Sequence, residues 1–342
     1  MPLQYFVMPT GHVFVTCGDI TRLRVDAWVL PTDRTASVTE GWFSERFTRD
    51  QLNRAIEAGH LEDFRAERVL AAALPIEEGQ PTPVLTAVPY MCAVSFEDLR
   101  KRIEAGVRTA AETARAKGSL RPIVATPAFG VGGGGANRSR GEVVSGILEV
   151  AREAAEQHQV DVIVCLRDEV DHALAQRARL AEWESAPPFE PAQMGHVRRL
   201  ADMIKEGRLV PFMGSGVSAS AGLPSWSELL TSLASDRPDM LDPQGWFSKL
   251  SALDQAHVVR GDRNKVEFGK AVASRTSAER YGLPPILLAA LPTREAVTLN
   301  YDRLYEIASN DSGMATAVLR AMIRTCGWVL GLVTCGGAPS RG

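Results

Sequence analysis

Apolar positions along the chain change their period repeatedly. In "FEDLRKRIEAGVRTAAETARAKG", Leu99, Ile103 and Val107 recur every fourth residue, and Ala110 and Ala114 extend the stripe. That spacing predicts an amphipathic helix, stopped by Gly118. "EVVSGILEVAREAAEQH" predicts a second helix. "HVRRLADMIKEG" predicts a third, with Val197, Leu200, Met203 and Ile204 on one face and Gly207 at its end. Between and before the helices lie short apolar runs, "HVFVTCGDIT", "AWVLPT", "RPIVATPAF" and "VDVIVCL", which predict strands. Runs that are apolar throughout suit strands buried on both faces, so their alternation with helices predicts a largely parallel sheet. After "HVRRLADMIKEG" the alternation resumes, with "RLVPFM" as a strand, "PSWSELLTSLAS" as a helix, "AVTL" as a strand, "NYD" as a turn and "RLYEIA" as a helix start. The fold class expected is α/β, in two domains.

Length agrees with that division, since 342 residues fit two domains at roughly 150 residues each. The break falls at "WESAPPFEPAQMG", where three prolines follow a polar helical segment and predict a stiff, extended connector. The expected organisation is a first domain over 1–183, a Pro-rich linker over 184–195 and a second domain over 196–310. The stretch 311–342 reads as an atypical, out-of-frame tail.

Charge and cysteine content narrow the partners. Lys and Arg number 38 against 41 Asp and Glu, a net charge of −3, so no basic field is available for nucleic acid or an anionic membrane. The apolar runs fall far short of the roughly 18 to 20 residues of a membrane-spanning helix, and "MPLQYFVMPTGHVF" has no secretory signal pattern. The five cysteines, at 17, 92, 165, 326 and 335, form no C-x-x-C pair, so no metal site is expected. Sparse, unpaired cysteines suit a reducing compartment, and a cytoplasmic location is expected. A homo-oligomer is compatible with all of this.

The chemistry concentrates in "VPFMGSGVSASAGLPSW", Val210 to Trp226. Glycine lets a ligand approach the backbone, and a strand turning into a helix aims free N–H groups at one spot, which suits a pyrophosphate. Gly214-x-Gly216-x-x-Ala219 thus meets a relaxed dinucleotide fingerprint, although a tight packing turn reads the same way. On this fingerprint alone an NAD(P)-linked oxidoreductase is an alternative. With "VTLNYDRL" some way downstream, the pattern resembles the sirtuin (SIR2) family. More closely, it is similar to the SIR2-like NADases of bacterial antiphage systems. The resemblance implies an NAD ligand whose phosphates and ribose lie along Gly214, Ser215, Gly216 and Ser218. Gly222, Leu223, Pro224 and Trp226 would shape the nicotinamide side. Asn300 would be the catalytic residue, beside the nicotinamide ribose, and Asp302 would hold its turn. Sirtuin deacylases carry four metal-binding cysteines that this chain lacks, so the resemblance points to cleavage of NAD at the nicotinamide bond and away from deacylation. The family's general-base His, in a K-x-H-G context after the Asn segment, has no counterpart here: no His follows His257. The expected second domain is therefore an incomplete Rossmann-like SIR2 domain, an NAD glycohydrolase in complete form. The alternative is a catalytically inactive binder of NAD or ADP-ribose.

"CGDITRLRVDAWVLPTD" and "PIVATPAFGVGGGGANRS" together resemble a macro domain, an α/β/α sandwich that binds ADP-ribose. The resemblance implies Asp19 and Ile20 toward the adenine, and Gly130, Val131, Gly132, Gly133, Gly134 and Gly135 around the diphosphate, where successive N–H groups make an anion nest. Phe129 would face the distal ribose or adenine. The strand ends "VLPTD" where the family has V-N-x-A-N, and "VTEGWFSERF" stands where an early G-G-G-V loop would be. These departures favour binding over hydrolysis, with the first domain sensing a nucleotide for the second.

Overall fold

In a computed structural model of the chain, the structure describes residues 11–88, 95–129, 139–185, 189–236, 245–261, 264–323 and 328–336. The chain divides into two compact units, Met1–Met194 and Gly195–Gly342.

The first unit is mixed α/β. Its strands are β1 (Val13–Cys17), β2 (Ala27–Thr32), β3 (Ala71–Ala73), β4 (Thr82–Ala87), β5 (Ile123–Pro127) and β6 (Asp161–Leu166). They form one sheet in the order β1-β6-β5-β2-β4-β3, parallel except for β3, which runs antiparallel to β4. All six residues of β4 are buried, and Val162, Ile163 and Val164 of β6 are at most 1% exposed, which is why these strands read as continuous apolar runs.

Among the described residues, five α-helices lie wholly in this unit. α1 (Arg49–Ala58) opens on a capping box between Thr48 and Gln51, and α2 (Glu62–Arg65) is a single turn. α3 (Phe96–Ala116) carries the predicted stripe, with Leu99, Ile103, Val107, Ala110 and Ala114 all buried. α4 (Arg140–His158) starts at a second capping box, Ser139 with Glu142, and α5 (Glu169–Ser185) follows β6. At Gly106 a Cβ would stand 2.7 Å from Thr86 Oγ1 and 2.9 Å from Val29 Cγ1, so glycine lets α3 ride close on β2 and β4.

The second unit contains α6 (Pro191–Lys205, which begins just before the division), α7 (Gly216–Ala219), α8 (Trp226–Ser235), α9 (Trp246–Lys249), α10 (Ala252–Arg260), α11 (Lys265–Thr276), α12 (Leu283–Ala289) and α13 (Leu304–Asp311). Its sheet runs β7 (Phe212–Met213), β8 (Glu295–Thr298), β10 (Trp328–Gly336), β9 (Ala315–Ile323). Only β7 and β8 are parallel; β10 is antiparallel to both neighbours.

Several local expectations are changed by these elements. The segment 184–195 holds the end of α5 and the first turn of α6, because a proline such as Pro191 is tolerated at the first helical position, where its missing N–H costs nothing. Among the described residues of α6 none is buried, so its apolar face is not a core face. "RLVPFM" narrows to a two-residue strand, since Pro211 has no N–H to donate and contributes only its carbonyl, to Val297 N at 2.8 Å. The stretch 311–342 carries β9 and β10 beyond the last residue of α13, and β10 pairs with β8 from Gly331 to Thr334. A Rossmann-like sheet is parallel; this hairpin makes the second sheet mostly antiparallel.

Candidate functional site

In the second unit the two distant motifs meet around one cavity of about 230 Å³. From the first motif it is lined by Gly214, Ser215, Ser218, Pro224 and Trp226; from the second, by Asn300 and Asp302. β7 ends at the buried Met213, the chain turns through Gly214 and Ser215, and α7 begins. β8 ends beside it at Thr298, whose Oγ1 accepts from Asn300 N at 3.0 Å. The parallel pairing of Met213 with Thr298 puts the two turns side by side.

Hydrogen bonds tie the turns together. Ser218, 3% exposed, donates through Oγ to Asp302 Oδ2 at 2.7 Å. Asn300 Nδ2 donates to Ser218 Oγ at 3.0 Å and to the Gly214 carbonyl at 3.1 Å. Asp302 Oδ1 accepts from Leu304 N at 3.0 Å at the start of α13. The Asn300 amide nitrogen is thus committed to the protein, while its Oδ1 has no partner among the described residues. Trp226 and Tyr301 stack, with ring centroids 6.5 Å apart and 19° between planes, and both line the cavity. Burial pushes the Tyr301 hydroxyl pKa up. Ser225 caps α8 in a capping box with Glu228, and the Ser225 N–H holds that carboxyl below its ordinary range.

The glycines differ in kind. Gly222 has φ +76°, a left-handed conformation, and is required by the turn. Gly214 and Gly216 have no positive φ, and a Cβ at either would meet nothing within 4 Å. Neither backbone strain nor packing demands glycine there; what their smallness provides is room beside the loop. Gly216 and Gly222 shape the turn without lining the cavity.

In the first unit a cavity of about 150 Å³ lies at the carboxyl ends of β1, β5 and β6, lined there by Gly18, Pro127, Ala128, Cys165 and Leu166. Carboxyl ends of parallel strands are where open α/β sheets bind ligands. Ile20, 5% exposed, also lines it. Asp19 stands next to the cavity in sequence, and its Oδ1 accepts from Thr21 N at 2.9 Å and Thr21 Oγ1 at 2.8 Å, capping the 3₁₀ turn Ile20–Arg22. Phe129 is 2% exposed and packs in the apolar core at the end of β5. Gly130, Val131, Gly132, Gly133, Gly134 and Gly135 lie outside the described residues.

Residues that the sequence did not single out complete this cavity. Trp42 comes from "VTEGWFSERF", in the 3₁₀ turn Glu40–Trp42, and packs 6.2 Å from Trp28. Arg167 donates to the Gly41 carbonyl next to it. Asp168 and Asp171 both bind Arg140, at the start of α4. The Val170 N–H, then Arg140, hold the Asp168 carboxyl below its ordinary range, and the two carboxylates raise the Arg140 guanidinium. In the other cavity, Tyr301, Thr276 and Leu299 were likewise unmarked. The one signal available was aromatic: a Trp or Tyr set between polar turn residues.

Burial pushes the Cys165 thiol from 9.0 up to about 12. A raised folded value stabilises the fold below the unfolded pKa, and that contribution is lost as pH rises from 9.0 toward about 12. At pH 8, iodoacetamide is expected to alkylate Cys165 at least about a hundredfold more slowly in the native chain than in the unfolded one. Mass spectrometry of timed digests measures this; equal rates would refute the buried-thiol account.

Among the described residues no helix is long and apolar enough to cross a membrane, and no group of three or more His, Cys, Asp or Glu could hold a metal. No protein-family model matches the chain, and no curated protein matches it. Among solved structures, the Oceanobacillus iheyensis macrodomain with ADP is similar over 52% of this chain and 95% of its own, at 15% identity and a TM-score of 0.40. The same macrodomain with MES bound is similar over 52% and 95%, at 16% identity and a TM-score of 0.36. A Trypanosoma brucei macrodomain in complex with ADP-ribose is similar over 48% and 68%, at 13% identity and a TM-score of 0.32.

Proposed function

We propose that the second unit holds a nicotinamide dinucleotide in its 230 Å³ cavity, in a SIR2-like manner, and that the first unit holds a nucleotide of ADP-ribose type at the carboxyl ends of β1, β5 and β6. The observation that carries the reading is the convergence of "GSGVS" and "LNYD" on one cavity, locked by the Asn300–Ser218–Asp302 hydrogen bonds. Gly214 leaves room for a diphosphate to approach the backbone. Asn300 Oδ1, with its amide nitrogen already committed, accepts from a ribose hydroxyl or an attacking water. Cleavage at the nicotinamide bond develops positive charge on the ribose, which a fixed carbonyl dipole stabilises more strongly where bulk water is excluded. The stacked Trp226 and Tyr301 form the apolar wall for that exclusion. Release of nicotinamide by such a site would serve in defence against phage.

A second reading, nucleotide binding without turnover, has its own support. The ionisable side chains lining this cavity among the described residues are Asp302 and Tyr301. Both Asp302 oxygens already accept hydrogen bonds from the protein, and burial raises the Tyr301 hydroxyl pKa, so that phenol stays protonated near neutral pH.

The experiment is Asn300→Ala in the full chain, following NAD loss and nicotinamide release alongside NAD binding by calorimetry. NAD cleavage by the parent that falls about a thousandfold or more in the variant supports the enzyme reading. Binding without turnover in the parent supports the binder. Unchanged binding and turnover in Asn300→Ala would reject the site.

A further inference from the structure

Two arginines of the first unit hold main-chain carbonyls and no carboxylate. Arg34 follows β2, and its Nη1 donates to the carbonyls of Phe64 at 2.8 Å and Val69 at 2.6 Å. Arg102, on α3, donates through Nη1 to the Ala87 carbonyl at 2.6 Å. These carbonyls belong to one corner of the sheet: Ala87 N donates to the Leu70 carbonyl at 3.0 Å, and Val88 N to the Thr32 carbonyl at 2.7 Å. Both arginines are partly buried, and among the described residues neither is ion-paired. Asp63, close in the chain to Phe64, is spent on Arg68 at 2.9 Å. Burial pushes the Arg34 guanidinium pKa down; Glu67 pulls it up through space, and the Arg102 charge pushes it down again. A guanidinium has five N–H donors. With Nη1 of Arg34 committed to two carbonyls, its Nε and Nη2 edge is left, and that edge grips an oxyanion at two points. Its flat face is steadied by the Phe64 ring, 5.2 Å from the guanidinium carbon to the centroid. In Arg102 the Nε–H is buried and has no partner. A buried charged donor left unmade is costly, and an ion that completes it removes the cost.

We propose that Arg34 and Arg102 form an oxyanion site for a phosphate group, at the corner where the chain leaves β2 and β4. Neither residue lines the cavity at the ends of β1, β5 and β6, so the site stands apart from the nucleotide reading of that cavity. A carboxylate has two oxygens and fills one guanidinium fork; a phosphate has oxygens enough for both. Its two negative charges also match the two guanidinium charges. Free phosphate and the phosphomonoester end of a larger molecule share this chemistry.

The full chain is titrated by calorimetry with inorganic phosphate, ribose 5-phosphate and acetate at a single ionic strength. Phosphate is expected to bind at least about tenfold more tightly than acetate. Arg102→Gln is expected to weaken phosphate at least about tenfold, the loss of one charge-assisted contact. Arg102→Lys, which keeps the charge and a donor for Ala87 but loses the fork, is expected to fall between the parent and Arg102→Gln. Ribose 5-phosphate binding above inorganic phosphate identifies an esterified ligand, and the reverse order identifies the free ion; both support the site. Melting curves separate binding from packing. Phosphate is expected to raise the melting temperature of the parent and not that of Arg34→Gln or Arg102→Gln. A pair that serves only to hold carbonyls lowers the melting temperature of the variants equally with and without phosphate, and that result overturns the inference. So does phosphate binding no tighter than acetate, a comparison that needs no variant to fold, and so does phosphate affinity that is the same in Arg102→Gln and the parent. Each of these leaves the nucleotide readings of both units standing.

Discussion

Gly214→Val is expected to weaken dinucleotide binding by the second unit about a hundredfold or more while the fold is kept: this is the largest effect on binding expected. A branched side chain at Gly214 projects from the loop lining the 230 Å³ cavity. It meets no protein atom near its Cβ, and the backbone there is not left-handed, so the chain accepts it without strain. On the proposed reading the ligand would not, because the side chain fills the space through which a diphosphate would approach the backbone N–H groups. Affinity for NAD is expected to fall by about a hundredfold or more, roughly 2.8 kcal/mol, with the melting temperature within about 2 °C of the parent. Calorimetry with a thermal melt on the same sample measures both. A variant that binds NAD as the parent does removes the loop from the site. One that unfolds shows that the glycine serves packing after all.

Gly11→Ala has the largest expected effect on stability. A Cβ there would lie 2.2 Å from the Ala155 carbonyl oxygen and 2.3 Å from that of Val160, and both are backbone atoms that cannot rotate aside. Gly11 precedes His12, whose carbonyl accepts from Val162 N at 2.8 Å, so the clash falls where β1 joins β6 under the end of α4. Relief requires pushing the edge strand away from the sheet. A loss of about 3 kcal/mol is expected, at the upper end for overpacking, equivalent to about 6–12 °C in the melting temperature of a unit of this size. Denaturant unfolding of the full chain, monitored in the first unit, checks the figure; a loss under about 0.5 kcal/mol would mean that the strand shifts freely.

Legibility in the sequence followed the range of the interactions involved. α3 was readable because it carries its own period, the Leu99–Ile103–Val107 stripe, and α4 matches the helical run "EVVSGILEVAREAAEQH". β2, β5 and β6 were readable because strands buried on both faces are apolar throughout. β9 and β10 were not, since "ATAVLRAMI" and "WVLGLVTCG" carry no helix period and acquire strand character by pairing with each other and with β8. The two candidate loops could be placed between elements, but "GSGVS" could not be seen to face "LNYD". That depends on the parallel register of β7 on β8. Trp42 was hidden in the same way: its segment looked like the absence of a loop, and only the packing of Trp28 and the reach of Arg167 bring it to the rim of a cavity.

By itself, then, the sequence determined the α/β character, the helical stripe of α3 and the apolar strands, because each is settled by neighbours a few positions apart. The tertiary structure alone decided which turns share a cavity, which oxygen of Asp302 meets Ser218, that Phe129 belongs to the core, and that Gly11 cannot carry a side chain. Those depend on contacts between residues far apart in the chain, where a few tenths of an ångström separate a hydrogen bond from a clash.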